Sequence, residues 1–135
     1  MNSQNLEIEP IVFDSCSELI NRYEFKIKRE SYHTVFLISE SCGIRIVAGT
    51  STIGEYQIEF SFFDPRIEIK KRKYYSNTSL LYNSIRKEPI IEIIDKNEDA
   101  VFSSFENLLK NHLRSFVSHT LKYRKDILNG DFTSW

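Results

Sequence analysis

Cysteine, glycine and proline are scarce in this chain of 135 residues, which contains two Cys, four Gly and three Pro. So few glycines and prolines argue against low-complexity or fibrous structure, and the composition indicates a folded globular chain. Two cysteines are too few for a disulfide framework, so we expect Cys16 and Cys42 to be reduced thiols. A chain near this length buries roughly two-thirds of its unfolded surface, so we predict a single globular domain over residues 1–135.

Long apolar runs are also missing, and the run VFLI from Val35 to Ile38 is far too short to cross a membrane. The first ten residues, MNSQNLEIEP, contain no basic region followed by an apolar segment. We therefore expect a cytoplasmic protein that is not exported. The chain has few alanines beside many Ile, Lys, Asn and Ser residues. This bias indicates an AT-rich genome, bacterial or viral.

Neither sign of charge is in excess, because 18 Lys and Arg residues face 19 Asp and Glu residues and the net charge is −1. This balance argues against a polyanionic partner that covers the whole surface. The charges are nevertheless segregated along the chain. Residues 1–21 carry four acidic residues and no Lys or Arg, whereas a basic run occupies Lys70 to Lys73. The acidic residues are Glu7, Glu9, Asp14 and Glu18.

The hydrophobic pattern alternates between the periods of a strand and a helix. At the start we predict an extended piece from Leu6 to Phe13 and then a short helix, capped by Asp14 or Ser15, that reaches Arg22. Segments in which apolar and polar residues alternate follow, with turns between the segments. They predict strands that begin at Tyr23, run from Thr34 to Glu40, from Ile44 to Thr50 and from Glu55 to Phe63, resume at Ile67, and end with a buried strand from Ile90 to Ile94.

The strongest helical pattern lies at the end of the chain. A helix from Glu98 to Asn129 has an apolar sector wide enough to lie across a sheet, and Gly130 stands at the position of a terminating glycine. Because this helix measures roughly 48 Å, we expect a bend or break near Ser118. The predicted fold is α+β, an antiparallel meander sheet of five or six strands with the long C-terminal helix packed on one face.

The basic and aromatic run KKRKYY, from Lys70 to Tyr75, is typical of nucleic-acid contacts. If the strand from Ile67 continues through it, alternation places Lys71, Lys73 and Tyr75 on one face and Lys70, Arg72 and Tyr74 on the other. The cations are then divided between two faces. This division favours a solvated sheet edge or a ribbon that contacts protein over a nucleic-acid site on Lys70, Lys71, Arg72 and Lys73.

Catalytic and metal-binding patterns are weak. His112 and His119 lie about two helical turns apart, too far for both to bind one metal ion, and no residues at the needed spacing complete a site. His33 with Cys16 or Cys42 is the remaining candidate for a small hydrolase or nuclease, but no local motif supports such a pair. We therefore predict no cofactor and no metal, and an enzyme only as the third choice.

The residues that remain favour a non-catalytic protein-binding module, such as an inhibitor or immunity protein that neutralises a toxin or enzyme. Tyrosine supplies contact area at little entropic cost, and acidic side chains suit a basic cleft. The predicted protein-binding residues are Glu7, Glu9, Asp14, Glu18, Tyr74, Tyr75 and Tyr82. The alternative is a nucleic-acid-binding accessory protein that uses the segment from Lys70 to Tyr75.

Overall fold

The computed structural model describes residues 7–50, 56–76 and 105–133 of the chain. They form an α+β structure in which an antiparallel sheet packs against helices from both ends of the sequence. The predicted class, the antiparallel meander and the C-terminal helix are confirmed. The predicted strand from Ile90 to Ile94 lies outside the described residues.

Two short helices precede the sheet, α1 (Glu9–Ser15) and α2 (Ser17–Tyr23). The expected extended piece at Leu6 to Phe13 is therefore wrong where the structure describes it. Proline in the first helical turn and apolar residues at Ile8, Ile11 and Val12, which are spaced for one helical face, explain the difference. The helix α2 ends where Glu24 takes a left-handed conformation with φ of 57°.

The described sheet has four full strands and a fifth strand of only two residues. The full strands are fewer than the five or six predicted. The strands of the sheet are β1 (Lys26–Ser31), β2 (Thr34–Ile38), β3 (Gly43–Thr50), β4 (Tyr56–Phe63) and β5 (Tyr75–Ser76). Each strand pairs with the next along the chain, in the spatial order β1-β2-β3-β4-β5. The first strand begins three residues later than expected, because Tyr23 is the last residue of α2 and packs, half-buried, against the core.

One face of the sheet holds the core. The buried side chains of this face come mainly from β2, β3 and β4, and the helix α3 (Phe105–Tyr123) packs on them. The ring of Phe116 stacks on Phe60 with a centroid separation of 4.4 Å and lies 5.6 Å from the ring of Phe62. Buried sheet residues of this face are Val35, Leu37, Ile44, Ile46, Ala48, Phe60 and Phe62.

The C-terminal helix breaks later than expected. Arg124, and not a residue near Ser118, separates α3 from a short helix, α4 (Lys125–Leu128). Gly130 follows with φ of 90°, a conformation that favours glycine, so its predicted role in ending the helix is confirmed. The carbonyl of Gly130 accepts a hydrogen bond of 2.7 Å from Nη2 of Arg66.

The opposite face of the sheet, which we call the open face, carries an aromatic residue that is fully buried. Phe63 is the partner of Gly43 across the β3–β4 ladder, and its ring lies over the glycine. A methyl group on Gly43 would overlap this ring. Glycine at position 43 therefore leaves the space in which Phe63 packs against the backbone of β3.

We predict that Gly43→Ala lowers the free energy of unfolding by about 1–3 kcal/mol, because the ring of Phe63 must leave its site. Urea unfolding followed by circular dichroism measures the change. The matched control is Gly49→Ala in the same strand, where an added methyl group would lie 3.9 Å from Cβ of His33, an ordinary contact. Equal unfolding midpoints for the two variants would contradict this role of Gly43.

Candidate functional site

Residues 64–74, which we call the basic loop, connect β4 to β5 and carry five cationic and two acidic residues, a net charge of +3. The predicted strand from Ile67 does not form here. A turn follows Asp64, and Ile69–Lys71 form one turn of 3-10 helix. Pro65 favours a turn, and the carboxylate of Asp64 accepts a hydrogen bond of 2.9 Å from the backbone N–H of Arg66.

Arg66 connects the start of the basic loop to the segment that follows α4. Its guanidinium donates two hydrogen bonds to the carboxylate of Asp64, at 2.8 and 3.0 Å, and a third to the carbonyl of Gly130. The hydrogen bonding of the Arg66 side chain to this carboxylate lowers the pKa of Asp64 below its ordinary value. A bidentate arginine–carboxylate pair fixes orientation as well as distance. The position of the loop is thus tied to the helical layer.

The second half of the loop folds back over Phe63. The guanidinium of Arg72 lies 5.0 Å from the centre of this ring, and the ring of Tyr74 lies 5.1 Å from it. Arg72 also donates hydrogen bonds to the carbonyls of Ile67 and Pro65, at 2.9 and 3.1 Å. These contacts give Arg72 a structural role in the loop. On the outer side of this cluster, the guanidinium of Arg45 in β3 lies 5.8 Å from the centre of the Tyr74 ring.

Apolar and cationic side chains are exposed together on this loop. Ile69 is 73% exposed, Ile67 is 41% exposed and Tyr74 is 45% exposed. Lys70, Lys71 and Lys73 are exposed beside them. Exposed apolar residues rimmed by polar ones are typical of interaction sites. The basic loop and the adjoining open face are therefore the candidate functional site.

The four cations of the run do not act as a group. The strand on which the prediction of alternating faces depended is replaced by the 3-10 turn and an extended segment, so that prediction is wrong. Arg72 points back to the loop backbone, while the three lysines are exposed.

The acidic residues of the N-terminal region lie in the helical layer, away from the basic loop. Glu7 accepts two hydrogen bonds from Arg29, at 2.8 and 2.9 Å, and this contact lowers the pKa of its carboxyl. Glu18 forms an ion pair of 2.8 Å with Arg22. Each of these two charges is already balanced by a neighbouring arginine. Glu9 is half-buried, and Asp14 is exposed.

The predicted tyrosines are divided. Tyr74 lies on the open face, whereas Tyr75 is half-buried on the other side, with its ring 6.1 Å from that of Phe132. Tyr82 lies outside the described residues. The structure therefore does not bring Tyr74 together with Tyr75 or with the acidic residues of α1 and α2.

The candidate nucleophiles are protected from solvent. Cys16 and Cys42 are both buried, and burial raises the pKa of each thiol to about 12, so both stay protonated at neutral pH. Nδ1 of His33 lies 2.7 Å from the hydroxyl of Thr34 and 3.3 Å from that of Ser31. His33 and Cys42 lie at opposite ends of β2. This geometry does not form a thiolate–imidazole pair from them.

His119 is a buried histidine of α3. It is 7% exposed, and neither ring nitrogen has a hydrogen-bond partner. Burial, with a smaller contribution from the charge of Arg124, lowers the pKa of His119 to about 4. The ring packs 5.0 Å from that of Tyr123. At neutral pH this side chain is uncharged.

Among residues 7–50, 56–76 and 105–133, no three His, Cys, Asp or Glu side chains are grouped so that they could hold a metal ion.

The helices in the described part of the chain include none with the length and apolar character needed to span a membrane.

Sequence reasoning missed the contributions of Phe36 and Arg45 to the open face. Both side chains point to the sheet face away from the helices, and Phe36 packs edge-on against Phe63 with a ring-centroid distance of 6.0 Å. The run of apolar residues in β2, which puts apolar side chains on both faces of the sheet, was the sequence feature that could have identified Phe36. Arg45 was marked only by being the one charged residue in β3.

We predict that the free energy of unfolding falls by about 2 kcal/mol between about pH 7.5 and about pH 5 because of His119. The unfolded chain protonates this histidine near its ordinary pKa of 6.5, whereas the folded chain resists protonation until about pH 4. The unfolded state therefore binds more protons in this window, and stability present above pH 6.5 is lost as the pH falls. Urea unfolding at several pH values measures this slope.

The variant His119→Leu removes the titrating group and keeps an apolar side chain in the site. Its unfolding free energy should change less between these two pH values than that of the parent. An unchanged pH slope in His119→Leu would show that other groups cause the acid sensitivity.

A scan against protein-family models finds no match to this chain, and searches of the curated proteins and of the solved structures find none either. Function must therefore be argued from the site itself, from the residues that it exposes and the groups that it lacks within the described ranges.

Proposed function

We propose that this chain is a small, non-catalytic protein-binding module that contacts its partner through the basic loop. The observation that carries the proposal is the exposure of Ile69, Ile67 and Tyr74 on a loop that is held in place by Arg66 and Arg72. Apolar side chains on a fixed scaffold bind with little loss of conformational entropy. Tyrosine and arginine are enriched at the centres of protein interfaces.

The state of the titratable residues supports a non-catalytic role. The two thiols are buried and protonated, and His33 contacts hydroxyl groups. Among the described residues, no thiol or carboxylate contacts the ring of His33, so these groups form no activated thiol–imidazole pair.

A module of this kind acts as an inhibitor or immunity protein when its loop covers the active site of a toxin or enzyme. The net charge of +3 on the basic loop suits a partner with an acidic rim. The earlier expectation of acidic residues facing a basic cleft has less support, because Arg29 and Arg22 already balance Glu7 and Glu18. Asp14 and Glu9 remain as the acidic residues that a second contact would use.

We predict that Ile69→Ser weakens binding of the protein partner by about tenfold or more, because it removes an exposed apolar contact. The partner is identified by gentle purification of the tagged chain from its native host at low salt, followed by mass spectrometry. Titration of the purified partner against the parent and the variant then gives the two dissociation constants. If the partner is an enzyme, its activity in the presence of each chain tests inhibition directly.

The control variant is Phe13→Ser, which removes another exposed apolar side chain, 56% exposed, from α1 and not from the loop. It should bind as the parent does. Both substitutions lie at exposed positions, so unfolding midpoints should stay close to that of the parent. Equal affinities of Ile69→Ser and the parent would show that the loop is not the contact surface.

Nucleic-acid binding through the same loop is the second candidate function. The observation that favours it is the exposure of Lys70, Lys71 and Lys73 beside the half-exposed ring of Tyr74. Cations near an aromatic ring are the elements of a single-strand binding surface.

We predict for this second function that a labelled oligothymidylate binds with strong salt dependence. Replacement of Lys70, Lys71 and Lys73 by Gln should then reduce the slope of the salt dependence by about 2, since each phosphate contact in a single strand contributes about 0.7. Fluorescence anisotropy at several salt concentrations measures this slope. Absent or salt-independent binding would eliminate the nucleic-acid function.

A further inference from the structure

The open face of the sheet continues the cationic surface of the basic loop. Two neighbouring rows of paired residues cross this face from β1 to β4, and every charged residue in them is cationic. The first row is Lys26, Ile38, Gly43 and Phe63, and the second is Lys28, Phe36, Arg45 and Ser61. Glu59, which shares this face, belongs to the adjoining row with Thr34 and Val47.

We propose that these two rows bind an extended acidic segment of the protein partner, whose carboxylates pair with Lys26 and Lys28, while Arg45 adds positive charge from β3. This inference rests on the proposed function, because it assigns a second contact to the same partner. The basic loop would supply the apolar contact, and the open face would supply the contact with charged groups.

The spacing of the lysines matches an extended segment. Lys26 and Lys28 lie two residues apart on one strand and point to the same face, so their Cα atoms are about 7 Å apart. Carboxylates on alternate residues of an extended partner segment have the same spacing. A segment that runs along β1 therefore meets both ammonium groups without a change in its register.

Lys26 and Lys28 are exposed on this surface, and Arg45 is half-buried. No described acidic side chain forms an ion pair with Lys26, Lys28 or Arg45. The half-buried side chains of Phe36 and Ile38 lie between the lysines of β1 and Arg45 of β3. Charged side chains gain more from a partner where such apolar neighbours exclude water.

The aromatic rings favour an acidic peptide over a nucleic acid on this face. Arg72 lies over the ring of Phe63, and Arg45 lies over the ring of Tyr74. Phe36 meets Phe63 edge-on, with an angle of 81° between the ring planes. Guanidinium groups thus occupy ring faces on which bases would stack. Carboxylates need no free ring face, because they bind the cations directly.

The test is a fluorescence-anisotropy titration of the full chain with a labelled peptide of about eight residues, roughly 26 Å long when extended, in which Glu and Leu alternate. A peptide in which Lys replaces Glu, and an oligothymidylate, are the comparison probes. The expected result is that the Glu peptide binds and the Lys peptide does not. The double variant Lys26→Gln, Lys28→Gln should weaken Glu-peptide binding by about fivefold to tenfold, given two exposed ion pairs.

The control is Lys125→Gln, which removes a charge from an exposed lysine of α4 and should leave Glu-peptide binding unchanged. The inference is overturned if the Glu peptide does not bind, if the control weakens binding as much as the double variant, or if only the oligothymidylate binds.

Failure of this inference can be separated from failure of the proposed function. If the Glu peptide does not bind but Ile69→Ser still weakens the partner complex, the open face has no acidic ligand and the loop remains the contact. If Ile69→Ser leaves the partner complex unchanged, the proposed function and the inference that rests on it are both wrong.

Discussion

The buried ring of Phe63 is the constraint on which the candidate surface depends. Its side chain points away from the helical layer, so residues on the open face must cover it. Gly43 leaves room beneath the ring, and Arg72 and Tyr74 pack against it. Covering an aromatic ring in this way removes a large apolar surface from water. The contacts of Arg72 and Tyr74 with Phe63 therefore set the path of the basic loop across the sheet.

The two faces of the sheet have different roles. The helical face carries the core, with Phe116 stacked on Phe60, and it also holds the groups with unusual protonation behaviour. Cys16, Cys42 and His119 are buried, and burial favours the uncharged form of each. Their perturbed pKa values are therefore explained by packing in the fold.

The acidic and basic segments of the sequence remain separate in the fold, but the fold gives their charges different roles. Two of the four N-terminal acids are paired with arginines that follow them in the chain, so their charges are balanced within the fold. The basic loop keeps three exposed lysines next to exposed isoleucines, and the open face adds further cations. Cations beside apolar groups support a protein partner with acidic and apolar side chains, because both kinds of contact can form together.

By itself, the sequence determined the α+β class, the antiparallel meander and the C-terminal helix, because each follows from apolar residues of period two or period 3.6. The role of Gly130 was also predicted, because a glycine directly after a helical pattern is a local signal for the end of the helix. Only the tertiary structure decided the path of the basic loop, where alternation predicted a strand from Ile67. The turn at Asp64 and Pro65 has a local cause, but the path after it depends on contacts of Arg66 with Gly130 and of Arg72 with Phe63. Arg45 and Phe36 joined the site for the same reason, because pairing between strands, and not local pattern, placed them beside Tyr74 and Phe63.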